Sequence, residues 1–486
     1  MSSCPCATKN PQINLSLEAK MKPYALLAAL LAALPGVSAA ERLENLTLEQ
    51  AIQTALKNHR SMQVSEAAVE MAEAQYRQAM AAFGPKVGLE AGLQRADENR
   101  TFTFAGTVDL PFPLPTGLPA PYPATVSQLP LNMDVQLFDR DVAKAALNAS
   151  YPLYTGGKKE AITGMAKKGV DIAREEQRKT ELEVVRDVRK YYNGAQFAGQ
   201  MEQLTSDTLE RFQALEDLTE RLYQNASLKV KKTDYLRSKT TTAMTRSMLQ
   251  EARYANALTR EALANAMGLP VNSEISLAPE AGLPAFDGKL DALIADANKF
   301  NPDKQRLELA VQAADLKIDE AASGNKPMVG LEASTYRVWN DYDGGLFNAD
   351  NRAGWTLGVG VKWDIFDHGL TRAGVDAARA GKLRLEAQRV LLDNGLALQI
   401  KNDFLRLQRS RAQVGDTAKA REYAEENRKL NVRAYQEEMV ETKDVIEAQI
   451  VETLASASEQ RARHDLRAAL AELDYRVGRA LHHAKP

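Results

Sequence analysis

The chain has 486 residues, 26% of them charged and only 6% aromatic, with a formal net charge of -2. That length allows more than one ordinary domain, the composition is helix-rich and solvated, and the charge makes no case for a nucleic-acid partner. The two cysteines, Cys4 and Cys6, precede the targeting segment described next, so the processed chain is expected to have neither a disulfide nor a thiolate metal site.

From Met21 the sequence reads as a secretory signal. Lys22 is followed by an apolar run from Tyr24 to Leu34, a Pro35-Gly36 break, and Ser38-Ala39-Ala40, with cleavage expected before Glu41. The run is too short to span a bilayer as a mature helix, and no later stretch offers one. A membrane location therefore requires a closed barrel.

Thr47 and Gln50 form a capping-box pattern, and a helix is expected from there to about Ala82, ended by Gly84-Pro85. Lys86 to Arg95 then alternates, with Val87, Leu89, Ala91 and Leu93 on one face. A segment with seven prolines follows (Pro111, Pro113, Pro115, Pro119, Pro121, Pro123 and Pro130), which reads as a surface loop at the outer rim because it cannot be central sheet. A second strand is expected from about Ala143 to Tyr154. After Gly156-Gly157 a helix without proline runs to about Tyr223, roughly 100 Å at 1.5 Å per residue. A turn at Asn225 to Leu228 leads to a helix ending at Met267.

The same order then returns. Pro85-Lys86-Val87-Gly88-Leu89-Glu90-Ala91 recurs as Pro327-Met328-Val329-Gly330-Leu331-Glu332-Ala333, and Tyr151 to Gly157 recurs as Trp363 to Gly369. The expected organisation is an extension and signal over 1–40, one repeat over 41–270, a linker over 271–289, a second repeat over 290–478 and a tail over 479–486. In the second repeat, helices are expected from Leu290 to Ala322, from Leu370 to Tyr435, and from the turn at Glu437-Glu438 to Val477. The helices carry narrow stripes, such as Met201, Leu204, Leu215, Leu218 and Leu222; Met248, Ala252, Ala255 and Ala262; and Ile446, Ile450 and Ala457. Narrow stripes suit coiled-coil neighbours, and a solitary helical hairpin of an adaptor gives the same pattern.

The last strand is the most informative. In Gly354 to Phe366, residues Trp355, Leu357, Val359, Val361, Trp363 and Ile365 share a face, opposite a glycine-rich polar one. A soluble sandwich also alternates. The Trp near each end and the aliphatics between favour a membrane strand with Trp355, Leu357, Val359, Val361 and Trp363 toward lipid.

Enzyme signatures are missing. The five histidines make no HExxH, and there is no GxSxG, Walker A or dinucleotide fingerprint. His482-His483 reads as a frayed tail. Glu90 and Glu332 sit at matching places on the polar strand faces and read as lumen charges. No catalysis, cofactor or metal is expected. Two repeats supply four strands, and four cannot close a barrel, since known membrane barrels start at eight. The other strands must come from further copies. Three copies give twelve strands, whereas two would leave little lumen.

With these features in order over about 41–480, the chain resembles the TolC-like outer-membrane efflux protein family. The likeness rests on the strand entries at Pro85 and Pro327, on Tyr151-Pro152-Leu153-Tyr154 with Gly156-Gly157, and on the second hairpin end. There, Tyr435, Asp444, Val445, Ala448 and Gln449 match the family pattern, while Glu438 stands where the family has Gly. The resemblance implies a mainly helical fold with membrane β-structure: a homotrimeric, twelve-stranded barrel in outer-membrane lipid, continued by a periplasmic helical barrel. It implies the exit duct of a tripartite pump, with a periplasmic adaptor protein and, through it, an inner-membrane transporter as partners. It also implies carboxylates of Asp444 and Glu447 ringing the periplasmic aperture, and Thr233, Asp234, Tyr435 and Arg463 holding that aperture shut. Val440 replaces a basic residue of some members, which implies one latch fewer. Ser227, Leu228, Glu438 and Met439 fall at the hairpin tips where an adaptor docks. The competing readings are an exit duct for secreted polypeptides and a periplasmic coiled-coil adaptor or structural protein.

Overall fold

The computed structural model describes residues 42–115, 125–225, 230–280, 282–348 and 350–479. The signal segment, most of the C-terminal tail, residues 116–124 of the proline-rich segment, and Ser227 with Leu228 lie outside the described residues. No described helix is long and apolar enough to cross a membrane.

The chain runs β1 (Arg42–Leu46), α1 (Leu48–Asn58), α2 (Arg60–Ala81), β2 (Lys86–Arg95), β3 (Arg100–Pro115), β4 (Thr125–Phe138), β5 (Asp141–Tyr154), α3 (Lys158–Gln224) and α4 (Lys232–Ala266). It continues β6 (Glu274–Leu277), α5 (Leu290–Phe300), α6 (Pro302–Ala322), β7 (Met328–Asn340), β8 (Ala353–Lys362), α7 (Leu370–Gln436) and α8 (Thr442–Val477). The chain is mostly helical, and the duplication is plain in it. The two longest helices, α3 and α7, have 67 residues each.

Several boundaries differ from the sequence reading. The first expected helix is two, broken at His59, whose imidazole accepts from the Ser61 N–H at 3.2 Å and so caps α2. Its counterpart breaks at Asn301, which caps α6 with Pro302 at the first helical position. Both cap residues take the same extended backbone (ψ 128° and 123°), which ends one helix and starts the next. The proline-rich segment is not a plain loop. β3 and β4 pair as a two-stranded antiparallel ribbon continuing the β2–β5 hairpin, a place where both strands are edges and proline is tolerated. The linker holds β6, which pairs in parallel with β1, a pairing too short to leave a periodic signal.

The helix seams also shift. Met248 is 59% exposed and Ile450 is 42% exposed, so those stripes are not the packed ones. On α4 the buried line is Ser238, Thr242, Thr245 and Leu249; on α8 it is Val445, Glu452, Glu459, Leu466 and Leu473. The second line repeats every seven residues, as a coiled-coil seam requires. α3 packs on α4, α7 on α8, and α3 on α8, which joins the two hairpins into one bundle. Near the C-terminal end of α8, Tyr475 donates to Glu183 Oε1 of α3 at 3.0 Å. Burial, then this carboxylate, pushes the phenol up to about 12, so it remains a neutral donor.

Two asymmetries matter later. The four-stranded sheet has the order β2-β5-β7-β8, all antiparallel, so β2 and β8 are open edges that run in opposite directions. In addition, α6 packs against both α3 and α7, while among the described residues the main packing of its repeat counterpart α2 on a long helix is against α3. On α2 Val64 and Met71 are exposed, and on α7 Leu383, Leu398 and Leu405 are exposed.

Candidate functional site

Two regions hold the sequence-derived candidates: the sheet and the hairpin tips at the far end of the helices. In the sheet, Trp355, Leu357, Val359 and Val361 lie on one face of β8 and are 64% to 77% exposed. Each pairs across the ladder with an odd-numbered β7 residue: Thr335, Ala333, Leu331 and Val329. The register carries this face on to Leu147 and Ala149 of β5 and to Leu89 and Val87 of β2. The opposite face carries Glu90, Lys144, Asn148, Glu332, Gly358 and Gly360. Trp363 is a correction. The ladder ends at Lys362, and the Trp363 indole donates to the Asn325 carbonyl at 3.1 Å instead of continuing the strand. Alternation in the sequence outruns the hydrogen bonds here.

The strand-to-helix joints are built alike. Gly156 and Gly157 have φ of 65° and 92°, and a Cβ on Gly156 would come within 2.6 Å of the Lys326 Cβ. In the second copy His368 and Gly369 take the same left-handed turn. Thr155 Oγ1 caps α3 by accepting from the Lys159 N–H, and Asp367 Oδ2 caps α7 by accepting from the Thr371 N–H. These joints fix how the helices leave the sheet.

At the tip, α7 ends in a Schellman turn. The Met439 N–H reaches the Ala434 carbonyl at 2.8 Å and the Glu438 N–H reaches the Tyr435 carbonyl at 3.0 Å. Glu438 has φ 58°, the conformation glycine takes without strain. The substitution at the family's glycine position therefore keeps the turn and strains one residue. Glu438→Gly is expected to stabilise the chain by about 0.5–1 kcal/mol, read from thermal melting of the helical signal. A lower melting temperature would contradict this.

Asp444 and Asp234 are equivalent. Each sits in the first turn of its helix, and its Oδ2 accepts a backbone N–H three residues back, from Glu441 and from Lys231, both at 3.0 Å. Glu447 is exposed one turn further along, and Thr233 is exposed beside Asp234. Tyr435 lies at the same end but on the inside of the bundle. It is buried among Phe212, Leu215, Val445 and Ile446, and its hydroxyl lies 3.2 Å from Thr219 Oγ1 and 3.0 Å from Thr442 Oγ1. It ties α3 to α8 inside the bundle. Arg463 does not reach the tip. It stands some 28 Å from Asp444 at helical rise and donates to Glu459 Oε1 at 2.7 Å.

Two carboxylates on the α8 seam were missed in the sequence. Glu452 Oε2 lies 2.7 Å from both Arg211 Nη1 of α3 and Arg428 Nε of α7, with its side chain 8% exposed. Glu459, 2% exposed, is held by Arg421 of α7 and by Arg463. Their signal was the seven-residue spacing with Val445 and Leu466. Among the described residues, no group of His, Cys, Asp and Glu could hold a metal ion.

A model of the outer membrane efflux protein family matches residues 51–269 and 293–479, most of the chain. The chain belongs to the outer membrane efflux protein family. This outer membrane efflux protein is thus a member of a family of transport proteins and an outer-membrane duct, which sets aside the periplasmic adaptor reading. Solved structures give the same fold. The chain superposes on the Campylobacter jejuni CmeC outer membrane channel with a TM-score of 0.72 at 15% identity, covering 99% of this chain and 95% of that one. It superposes on the Vibrio cholerae outer membrane protein VceC with a TM-score of 0.68 at 18% identity, covering 90% and 97%. For the open state of the Neisseria gonorrhoeae MtrE outer membrane channel the values are 0.68, 16%, 89% and 89%.

Proposed function

We propose that this efflux protein is the passive exit duct of a tripartite pump. Three copies close one twelve-stranded barrel, which continues into a periplasmic helical tube. An inner-membrane transporter feeds the tube through a periplasmic adaptor that docks at the hairpin tips around Glu438 and Met439. Small toxic compounds leave by this route.

The observation that carries the reading is the pair of open edges. β8 of one copy can pair with β2 of the next and keep the antiparallel alternation unbroken around the ring. The helices support it independently. If α2 packs on the α7 of a neighbouring copy, it gains the second partner that α6 already has, and the exposed apolar residues on both helices are covered.

The periplasmic aperture is where such a tube is gated. Asp444 and Glu447, tripled by symmetry, line it, with Asp234 and Thr233 contributed by the first hairpin. An acidic ring favours cations and repels anions. Asp444→Asn removes the charge but keeps an oxygen for the Glu441 N–H, so the tip stays capped. Its reversal potential in a salt gradient across a planar bilayer is expected to move toward zero. Unchanged selectivity would dispose of the acidic ring.

A further inference from the structure

On the outward face of the sheet, the positions on β2, β5, β7 and β8 carry only three charges: Arg95, Asp141 and Arg337. All three lie at the end away from the helices. Arg95 pairs with Asp141 at 3.0 Å, directly across the ladder. Arg337 sits deeper. Its rung, which carries Ala145 and Ala353, is four residues down β5 from Asp141. That is about 10 Å along the membrane normal at the usual strand tilt. Among the described residues no carboxylate pairs with Arg337, whose guanidinium lies 5.4 Å from the centre of the Trp339 ring.

The surroundings are shaped as well as charged. Small side chains surround Arg337 on the face: Ala145 and Ala353 on its own rung, and Ala143 opposite Trp339 on the rung above. Leu93 and Trp339 stand up on either side of Ala143. Above Ala145 and Ala353 lies a cleft of about 670 Å³ at the rim of the sheet, whose lining includes Arg95, Arg337 and Arg352, the carboxylates of Asp141 and Asp341, and Ala143 with Trp339. A cation on a lipid-facing surface is costly unless an anion or the interface satisfies it. Arg is the side chain suited to a phosphate, through its planar fork of donors.

We propose that this cleft binds the phosphate of an anionic lipid in the outward leaflet. Arg337 holds the phosphate from below, Arg95 from the rim, and Ala143 with the small side chains of Ala145 and Ala353 on the face below leaves room for the first part of an acyl chain. Trp339 stacks on Arg337 and keeps the guanidinium turned up toward the headgroup level. The inference rests on the reading that this face meets lipid.

The test is native mass spectrometry of the full chain purified in mild detergent. Three probes are added: lipid A with both phosphates, the same lipid with its phosphates removed, and inorganic phosphate. Lipid A is expected to be retained, and Arg337→Gln is expected to weaken its retention about tenfold. The phosphate-free lipid should bind weakly and equally to both proteins. Arg95→Gln is the second variant, in case the first does not assemble, and should lower lipid A retention several-fold. Equal retention of the two lipids, or no loss in either assembled variant, would overturn the proposal while leaving the face in lipid. Competition by inorganic phosphate at the same concentration as lipid A would overturn the lipid assignment. A chain that retains no lipid and stays soluble without detergent would overturn the barrel reading itself.

Discussion

Val359→Arg is expected to stop this protein from accumulating as an assembled outer-membrane complex. Val359 is 64% exposed in the single chain and lies mid-strand, paired with Leu331 of β7. Above and below it on the same face stand Leu357 and Val361, so the position falls near the middle of the apolar band. An arginine at that depth on a lipid-facing strand costs about 2–4 kcal/mol. In a symmetric complex the cost is met once per copy. The control lies on the same rung system facing the other way. Glu332→Arg, opposite Gly358, points to the polar side and is expected to assemble normally. Comparing the two variants by membrane fractionation separates an effect of the face from an effect of added charge. Normal assembly of Val359→Arg would mean that this side does not meet lipid.

The second large effect is expected at Glu452. Its carboxylate occupies a buried seam position of α8 and binds arginines from two other helices, Arg211 and Arg428, through one oxygen. Glu452→Ala leaves both cations facing each other with no counter-charge, at a cost of about 3 kcal/mol. That is the low end of the range for a broken buried pair, because Arg211 keeps access to water with its side chain 37% exposed. Replacing all three by apolar residues should recover most of the loss, since a matched apolar cluster avoids the desolvation that the ions incur. Thermal melting in detergent distinguishes these outcomes. A Glu452→Ala protein as stable as the parent would show that the cluster is a surface pair of little weight. The pair also fixes helix register, because Arg211 belongs to one hairpin and Arg428 to the other.

Much of this architecture was legible in the residues, for physical reasons that differ between elements. The long helices were readable because no proline interrupts them and because Gly156-Gly157, Gly268-Leu269-Pro270 and Gly369 mark their ends, although α3 and α7 also carry interior glycines such as Gly194 and Gly395. Period-two alternation marked β2 and β8. It could not mark where β8 ends, since Trp363 continues the pattern after the last ladder bond. The break at His59 has no glycine or proline to announce it; the matching break at Asn301-Pro302 does, but its capping signal sits within an otherwise helical run.

The tip was less legible. In the sequence Asp444 and Asp234 read as charges, and their hydrogen bonds make them helix caps as well. The family resemblance groups Tyr435 and Arg463 with them; Tyr435 lies at the same end, inside the bundle, whereas Arg463 does not reach it. Tyr435 is drawn into the bundle by Thr219 and Thr442, and Arg463 is held high on α8 by Glu459. The Glu452 and Glu459 clamps were hidden because a charged residue on a coiled-coil seam reads as a surface residue until its partners on other helices are in place.

The claim beneath all of this is that one chain closes nothing alone and that β8 of each copy completes its ladder on β2 of the next. The mass of the detergent-solubilised complex tests it most directly. A mass three times that of the processed chain is predicted; a stable species of one or two chains would contradict it.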